Sequence, residues 1–571
     1  MAEKIISPGV FQNESDQSLV QRGIQGTATA IVGPTVLGQP FVPTYVTSYS
    51  EYVSKFGETF KSGSYYYEYL TSLAAKDYFQ NGGQTLLVTR VIASGSNMST
   101  YASAFVSASV GAAFVLETLA WGDIMNNTSS MSSGALASGS ATNVRWEITN
   151  VSTGSGTFTL AVRAGNDNDT QKNYIETWAN LSLDPALPNY ISRVIGDTKP
   201  VYKVDTDGTP YIDYTGSYAN ASQFIRVQSV TAPQVDSIDN NGNYKSASLA
   251  SGLPLVGSGS YGGSFAGGLS DTALAKLMNE NITANNNQGF TSGSFQIAFG
   301  ILGNKDEYRF NVLLAPGVTL NSPTATSMIS TCEGRGDSIA IIDTTLFGST
   351  VSGATQAAAG QSSNYAATYW PWIQLYSSNL GKAVWAPSST VMGGVYAFND
   401  QVAASWFAPA GLNRGGVPSV LKAERKLSQS DRDALYNGNV NPLATFPGEG
   451  VVVFGQKTLQ RKPTALDRVN VRRLLIALKD FIGQVGNNLV FEQNTNITRN
   501  KFLAQVNPYM DSVVQRQGLY AYKVVMDETN NTADVIDRNQ LVGQIYIQPT
   551  KTAEFIILNF NVLPTGATFP A

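Results

Sequence analysis

The sequence predicts a multidomain chain of mixed α/β and α+β class, and two features predict it. Strand, helix and strand signals follow one another at crossover spacing over Thr27–Ile92, and the same texture returns after Tyr308 and in the block from Pro447 to Phe569. Between them, from about Ala93 to Gly334, charge thins, Gly and Ser rise, and alternating segments such as Val144–Ile148, Phe158–Arg163 and Phe224–Val230 replace helix signals. An α/β frame interrupted by mainly-β insertion fits this order. The 571 residues allow about three or four domains.

The elements follow in order. Residues 1–22 read as an extended arm carrying Ile5, Ile6, Val10 and Phe11. Residues 23–92 read as the first half of an α/β domain. It holds a buried strand at Thr27–Gly33, an extended piece at Pro40–Val46 and a helix from Ser50 as N-cap to Gly57 as stop. A longer helix over Tyr65–Phe79 and a strand over Gln84–Ile92 complete it. Residues 93–334 form the mainly-β insert, although the apolar strands at Tyr308–Gly317 and Asp337–Asp343 are expected to join the sheet of 27–92. Residues 335–446 supply the second half of the α/β domain, and 447–571 a C-terminal domain.

That last domain reads as a strand at Gly450–Lys457, a helix over Thr464–Val485 and a helical pattern over Thr498–Gln517. Pro508 splits the second pattern, with Asn507 as a fresh N-cap. Tyr520–Met526 is a strand, and Leu541–Gln548 with Glu554–Leu563 forms a closing pair. The very end is unusually apolar: Phe555, Ile556, Leu558, Phe560 and Val562 need a sheet to join, in this chain or another. Arg468, Arg472 and Lys479 lie off the buried stripe of the 464–485 helix, as a solvated face or as a basic contact face for an acidic protein surface.

Composition excludes much. There is no histidine, which removes Ser–His and Cys–His catalysis and His metal sites. The single cysteine, Cys332, allows no disulfide within the chain and no Cys-based zinc site; it reads as a small buried hydrophobe. Net charge is −4, against a nucleic-acid binder. Charged residues make up 14%, well under the roughly 25% of typical soluble domains, which suits surfaces that meet other protein. No apolar run reaches the roughly 18 residues of a membrane span, and the N-terminus does not read as a signal peptide, so folding in a cytoplasm is expected.

The motifs are weak. Gly257-Ser258-Gly259-Ser260-Tyr261-Gly262 matches G-x-G-x-x-G, but the glycine-rich sequence after it cannot open a helix, so it reads as a loop. Asn166-Asp167-Asn168-Asp169 lacks the glycine and distal glutamate of a calcium loop and reads as a solvated turn. Asp184, Asp197, Glu333 and Asp343 are among many carboxylates that a fold could pair for polysaccharide cleavage, and no spacing singles out a pair. No catalytic, metal or cofactor residues are assigned. That enzyme would also need a solenoid repeat or an aromatic groove, and no repeat of about 20–50 residues is visible.

Several of these segments, taken in order, resemble the tail sheath proteins of contractile-tailed bacteriophages. They are Ser7–Phe11, Thr27–Gly33 with Pro43–Ser48 and Phe56-Gly57, and Asn81-Gly82-Gly83 through Thr89-Arg90-Val91. Asn180–Asp184 with Tyr190-Ile191 and Val194-Ile195, Leu314–Gly317, Ala340–Asp343, Ile545–Pro549 and Ala553–Ile556 continue the series, while about 200–300 matches weakly. The resemblance implies a non-enzymatic, cofactor-free subunit. Its inner mixed α/β domain is built from both termini and faces a tail tube, next to an α/β middle domain, and its inserted mainly-β domains face outward. Many copies would stack as hexameric rings in a helix around the tail tube protein, between baseplate and tail terminator proteins, with no nucleic acid or membrane partner. The N- and C-terminal arms would add strands to neighbouring subunits. Such a sheath is assembled in the host cytoplasm, belongs to the virion and contracts to drive the tube through the host envelope during genome ejection. The sheath of a related phage-tail-like injection particle would look alike.

Overall fold

Ala28–Gly33 (β1) lies at the heart of an eight-stranded sheet. Its other strands are Thr44–Val46 (β2), Leu86–Arg90 (β3), Phe310–Thr319 (β4), Ile339–Asp343 (β5), Ala366–Trp370 (β6), Asn441–Phe446 (β7) and Gly450–Val453 (β8). The spatial order is β2-β3-β1-β4-β5-β6-β7-β8. From β3 through β7 all neighbours run parallel; β2 and β8 are antiparallel edges. The computed structural model describes residues 28–554, apart from 63–64, 93–99, 110, 128–132, 232, 235–237, 246–251, 269–281 and 284–285.

The apolar runs explain this sheet. β3, β5 and β6 are buried at every position, as parallel strands covered on both faces must be. Ile31, Val88, Leu314 and Ile341 point to one face, under helices Tyr49–Phe56 (α1), Leu70–Gln80 (α2) and Ser389–Val402 (α6). Ala30, Leu87, Leu313 and Ala340 point to the other, under Ser292–Leu302 (α3), Pro323–Arg335 (α4) and Val351–Ala359 (α5). β4 and β5 join β1 as the sequence leads one to expect. This sets β4, α3 and α4 with the sheet rather than with an insert running to 334.

The chain between β3 and α3 forms antiparallel strands. Tyr174–Ser182, Thr157–Ala164 and Val144–Ser152 make one three-stranded sheet; Ile225–Val230, Ala112–Trp121 and Tyr101–Ser107 make another. Both contribute to one apolar core, where Phe114 stacks on Phe158 at 5.4 Å. The Asn166–Asp169 segment is not a solvated turn. Asp167 is buried and accepts from Arg163 Nε (2.7 Å), Arg163 Nη2 (2.9 Å), Arg145 Nη1 (3.2 Å) and the Asn173 amide (3.0 Å). The 257–262 glycines form a loop against Val144–Ser152. Gly259, at φ +81°, sits so close that a Cβ there would lie 2.4 Å from the Trp146 carbonyl oxygen.

Three local expectations are corrected. The N-cap of α1 is Ser48, whose side chain accepts the Glu51 amide; Ser48-Tyr49-Ser50-Glu51 carries the S-x-x-E pattern that Ser50 does not. Tyr65–Glu68 is a strand paired with Thr59–Ser62, and the helix starts only at Leu70; the β preference of the tyrosine run prevails, with Phe60 stacked on Tyr69 at 4.9 Å. Pro508 does not split its helix. Asn496–Gln515 (α9) runs through it, because Phe502, Val506, Met510 and Val513 bury one continuous stripe on both sides of an exposed proline.

Candidate functional site

The end of the chain is built around one helix, Val469–Asn487 (α8), preceded by a single turn at Ala465–Asp467. Leu474, Leu478 and Val485 pack with Phe502, Val506 and Met510 of α9 in a C-terminal core. Val469 and Ile476, seven residues apart on another face, belong instead to the core beneath the eight-stranded sheet. One helix therefore serves two cores, and its basic residues lie along the joint.

This placement changes the reading of the basic face. Arg472 is buried, donates to Asn364 Oδ1 at 2.8 Å and lies 4.0 Å over the Tyr365 ring. It is neither solvated nor free to meet another protein; burial lowers its pKa. Arg468 is half-buried and bonds the Glu554 carboxylate through Nε at 2.7 Å and Nη2 at 3.0 Å. Lys479 alone is exposed, 3.4 Å from the Tyr365 hydroxyl. Sequence reasoning missed Arg473, the centre of the joint. It is 2% exposed and donates to Asp400 on α6 through Nη1 at 2.8 Å and Nη2 at 2.5 Å. Burial works against its charge, but Asp400 outweighs burial and raises the guanidinium pKa. The Val469/Ile476 pair was the available signal that α8 has a second buried face.

Beyond α9, Leu519–Val525 (β9) pairs antiparallel with Gln544–Pro549 (β10). β10 thus takes β9 as a partner on one edge, a pairing the sequence did not suggest. Of the second closing strand only Glu554 is described. The arm residues Ile5, Ile6, Val10, Phe11, Phe555, Ile556, Leu558, Phe560 and Val562 lie outside the described residues. Among the described residues β9 and β10 form a sheet of two strands, each with an outer edge that carries no further strand. Tyr520 and Tyr546 stand exposed on it. Residues 550–554 then form one wall of an aromatic groove of about 1090 Å³ lined by Trp406, Phe407, Phe454 and Tyr520.

The carboxylates considered for catalysis have separate local duties. Asp184 accepts the Ala186 amide, Asp197 the Ser217 and Tyr218 amides, and Glu333 the Ser363 hydroxyl. Asp343 ends β5 where doubly wound sheets often bind ligands. Burial pushes its pKa up to about 6, while Ser389, Ser388 and the Gly317 amide bond its oxygens. The neighbouring crevice is filled by the chain itself: Asn287 Nδ2 reaches the Pro316 carbonyl at 3.0 Å, and Gln288 Oε1 accepts the Leu70 amide at the start of α2 at 2.9 Å. Among the described residues no three His, Cys, Asp or Glu side chains are grouped to hold a metal ion. Burial pushes the Cys332 thiol up to about 12, so it is an inert apolar group.

Two family descriptions match the chain and meet at this joint. "Phage tail sheath protein central domain" matches residues 301–459, and "Phage tail sheath C-terminal domain" matches 461–563. The tail sheath protein of Vibrio phage KVP40 is 40% identical over 185 residues, 32% of this chain and 28% of that protein. The tail sheath protein of Enterobacteria phage T4 is likewise 40% identical over 185 residues, with the same shares. The chain thus covers 28% of the length of these two curated relatives. A crystal structure of a sheath tail protein from Listeria innocua shares the fold, with a TM-score of 0.51 and 9% identity over 88% of this chain and 90% of that one. Over residues 301–563 this chain is similar to the central and C-terminal domains of phage tail sheath proteins.

Proposed function

We propose that the chain is the structural subunit of a contractile phage tail sheath. Many copies polymerise into stacked helical rings around a tail tube and then contract, driving the tube through the host envelope. The observation that carries this reading is the unbroken succession of sheath central and C-terminal domains over 301–563. The two-stranded β9–β10 sheet supports it. Among the described residues its outer edges carry no further strand, which is what a donated strand needs, and backbone hydrogen bonds would give such a linkage affinity without a large apolar interface. The work is mechanical rather than enzymatic, and its source is the difference between two subunit packings, about a few kcal/mol per subunit.

Within this reading the N-terminal segment with Ile5, Ile6, Val10 and Phe11 and the C-terminal segment with Phe555, Ile556, Leu558, Phe560 and Val562 are the strand donors. Lys479 is the remaining candidate for contact with the tail tube protein, since Arg468 and Arg472 are engaged within the subunit. Baseplate and tail terminator proteins bound the stack; the subunit assembles in the host cytoplasm and ends in the virion. Negative-stain microscopy of the purified full chain tests the function. Wide hollow tubes are expected, and particles that never polymerise, even with tail tubes present, would refute it. A chain lacking residues 1–20 should stay folded yet form no long tubes.

A further inference from the structure

We infer that Arg468, Tyr436 and Gln456 form a clasp on Glu554 that anchors the root of the C-terminal strand donor to the central domain. This rests on the sheath reading above and adds to it a load path and the residues that carry it.

After β10 the chain is held at alternate residues. The Thr550 amide and hydroxyl donate to the Gly518 (3.2 Å) and Gln517 (2.7 Å) carbonyls. Gln456 Nε2 donates to Thr552 Oγ1 at 2.6 Å and to Glu554 Oε1 at 3.0 Å. The Glu554 carboxylate also accepts Arg468 through both its oxygens and the Tyr436 hydroxyl at 2.6 Å. A period of two is that of an extended strap with one face on the protein. The donors to Glu554 come from different elements: Tyr436 from the helix Gln429–Asn437 (α7), Gln456 from the chain after β8, and Arg468 from the start of α8. The Arg468 and Glu554 side chains are only 25% and 18% exposed, so this bidentate pair is sheltered from solvent. Burial alone would raise the Glu554 pKa; the bonds from Arg468, Tyr436 and Gln456 outweigh it and hold the carboxyl below its usual range.

The consequence is mechanical. The chain continues past Glu554 to residue 571. A pull on that continuation meets the clasp, and through it α7, β8 and α8, before it reaches the β9–β10 sheet. Without the clasp the same pull would fall directly on β10, held only by its hydrogen bonds to β9 and by the packing of Ile545 and Ile547 on the C-terminal core. The clasp also fixes the point from which the donor reaches. Extended, residues 555–563 span at most ~30 Å from it.

The test uses the full chain with Glu554→Gln, Arg468→Met, the charge swap Arg468→Glu with Glu554→Arg, and a chain ending at Glu554. The clasp variants should exchange the amides of 550–554 about tenfold faster, the scale of losing charge-assisted hydrogen bonds. They should still form tubes, but shear should break these into pieces several-fold shorter than wild-type, and the swap should recover much of the length. Glu554→Gln keeps the side chain's shape and guards against misfolding in the other variants. Unchanged exchange, or wild-type tube length after shear despite faster exchange, would overturn the clasp. If the chain ending at Glu554 polymerises and resists shear like wild-type, it is the strand-donor reading that fails.

Discussion

Replacing Arg473 by methionine should loosen the joint between the sheet core and the C-terminal core. The change keeps most of the side-chain volume and removes the two bonds to Asp400 and the contact with Tyr396, whose ring centre lies 4.7 Å from the guanidinium. Removing one partner of a fully buried pair costs about 3–5 kcal/mol, because the other charge is left uncompensated. Here Asp400 is 34% exposed and recovers part of its hydration. An expected loss of about 2–3 kcal/mol follows, close to the value of hydrogen bonds between charged groups. Arg473→Lys keeps the charge but not the fork, and should lose about half as much.

A chain with several cores has no single unfolding free energy, so the assay must be local. Hydrogen exchange of the α8 amides reads the opening of the joint directly. A loss of 2–3 kcal/mol corresponds to exchange roughly 30- to 150-fold faster there, with the β1–β6 amides of the sheet unaffected. A change under about 0.5 kcal/mol, the level of an exposed ion pair, would refute the reasoning. So would equal acceleration across the sheet, since that reports global destabilisation.

Three further changes probe the same framework. Pro508→Ala restores a backbone donor on an exposed helix face and should raise the stability of the C-terminal core by about 1–3 kcal/mol, read as slower exchange of the α9 amides; faster exchange would show that the proline fits a needed kink. Asp77 lies buried between α2 and α6, where burial pushes its pKa from 3.8 to about 7 although the Ser419 hydroxyl bonds it at 2.6 Å. Because the folded form holds the proton more tightly than the unfolded one, this group subtracts stability as pH rises from 3.8 to about 7 and no more above that. Asp77→Asn should therefore flatten the pH dependence of urea midpoints across that window, and an unchanged slope would assign it to other groups. Gln288→Leu should cost about 1–3 kcal/mol by stranding the Leu70 amide, read as faster exchange at the start of α2.

What the sequence showed of this fold follows from the range of the interactions involved. β3 opens on the apolar run Leu86–Val88 and β5 is apolar up to Asp343, and a segment so patterned and buried on both faces can be little but a strand, so their identity was readable. The start of α1 was misplaced at Ser50, although the S-x-x-E of Ser48 carried the signal. The Tyr65–Glu68 strand was not readable, because tyrosines at 66 and 69 fit a helical stripe as well as a hairpin, and only the Phe60 stack decides between them. Asp167 was misread because its partners, Arg145 and Arg163, come from strands whose pairing no local pattern reveals. The candidate site suffered most. Arg473 pairs with Asp400 across 73 residues and Arg468 with Glu554 across 86, distances over which spacing carries no information.

That long range explains the chemistry at this end of the molecule. A basic residue on an amphipathic helix reads as solvated because the opposite face is apolar. α8 breaks the inference by burying two faces, and a helix buried on both must satisfy its arginines inside the protein. Asn364, Asp400 and Glu554 do so. A subunit whose proposed task is to hold together while its neighbours change packing gains from such a joint. Apolar contacts alone are non-directional and let domains slide, whereas bidentate pairs fix an angle. The joint would then move as one rigid piece during contraction, and the change would fall on the contacts between subunits. A contracted sheath in which the Arg473–Asp400 pair had separated would contradict this.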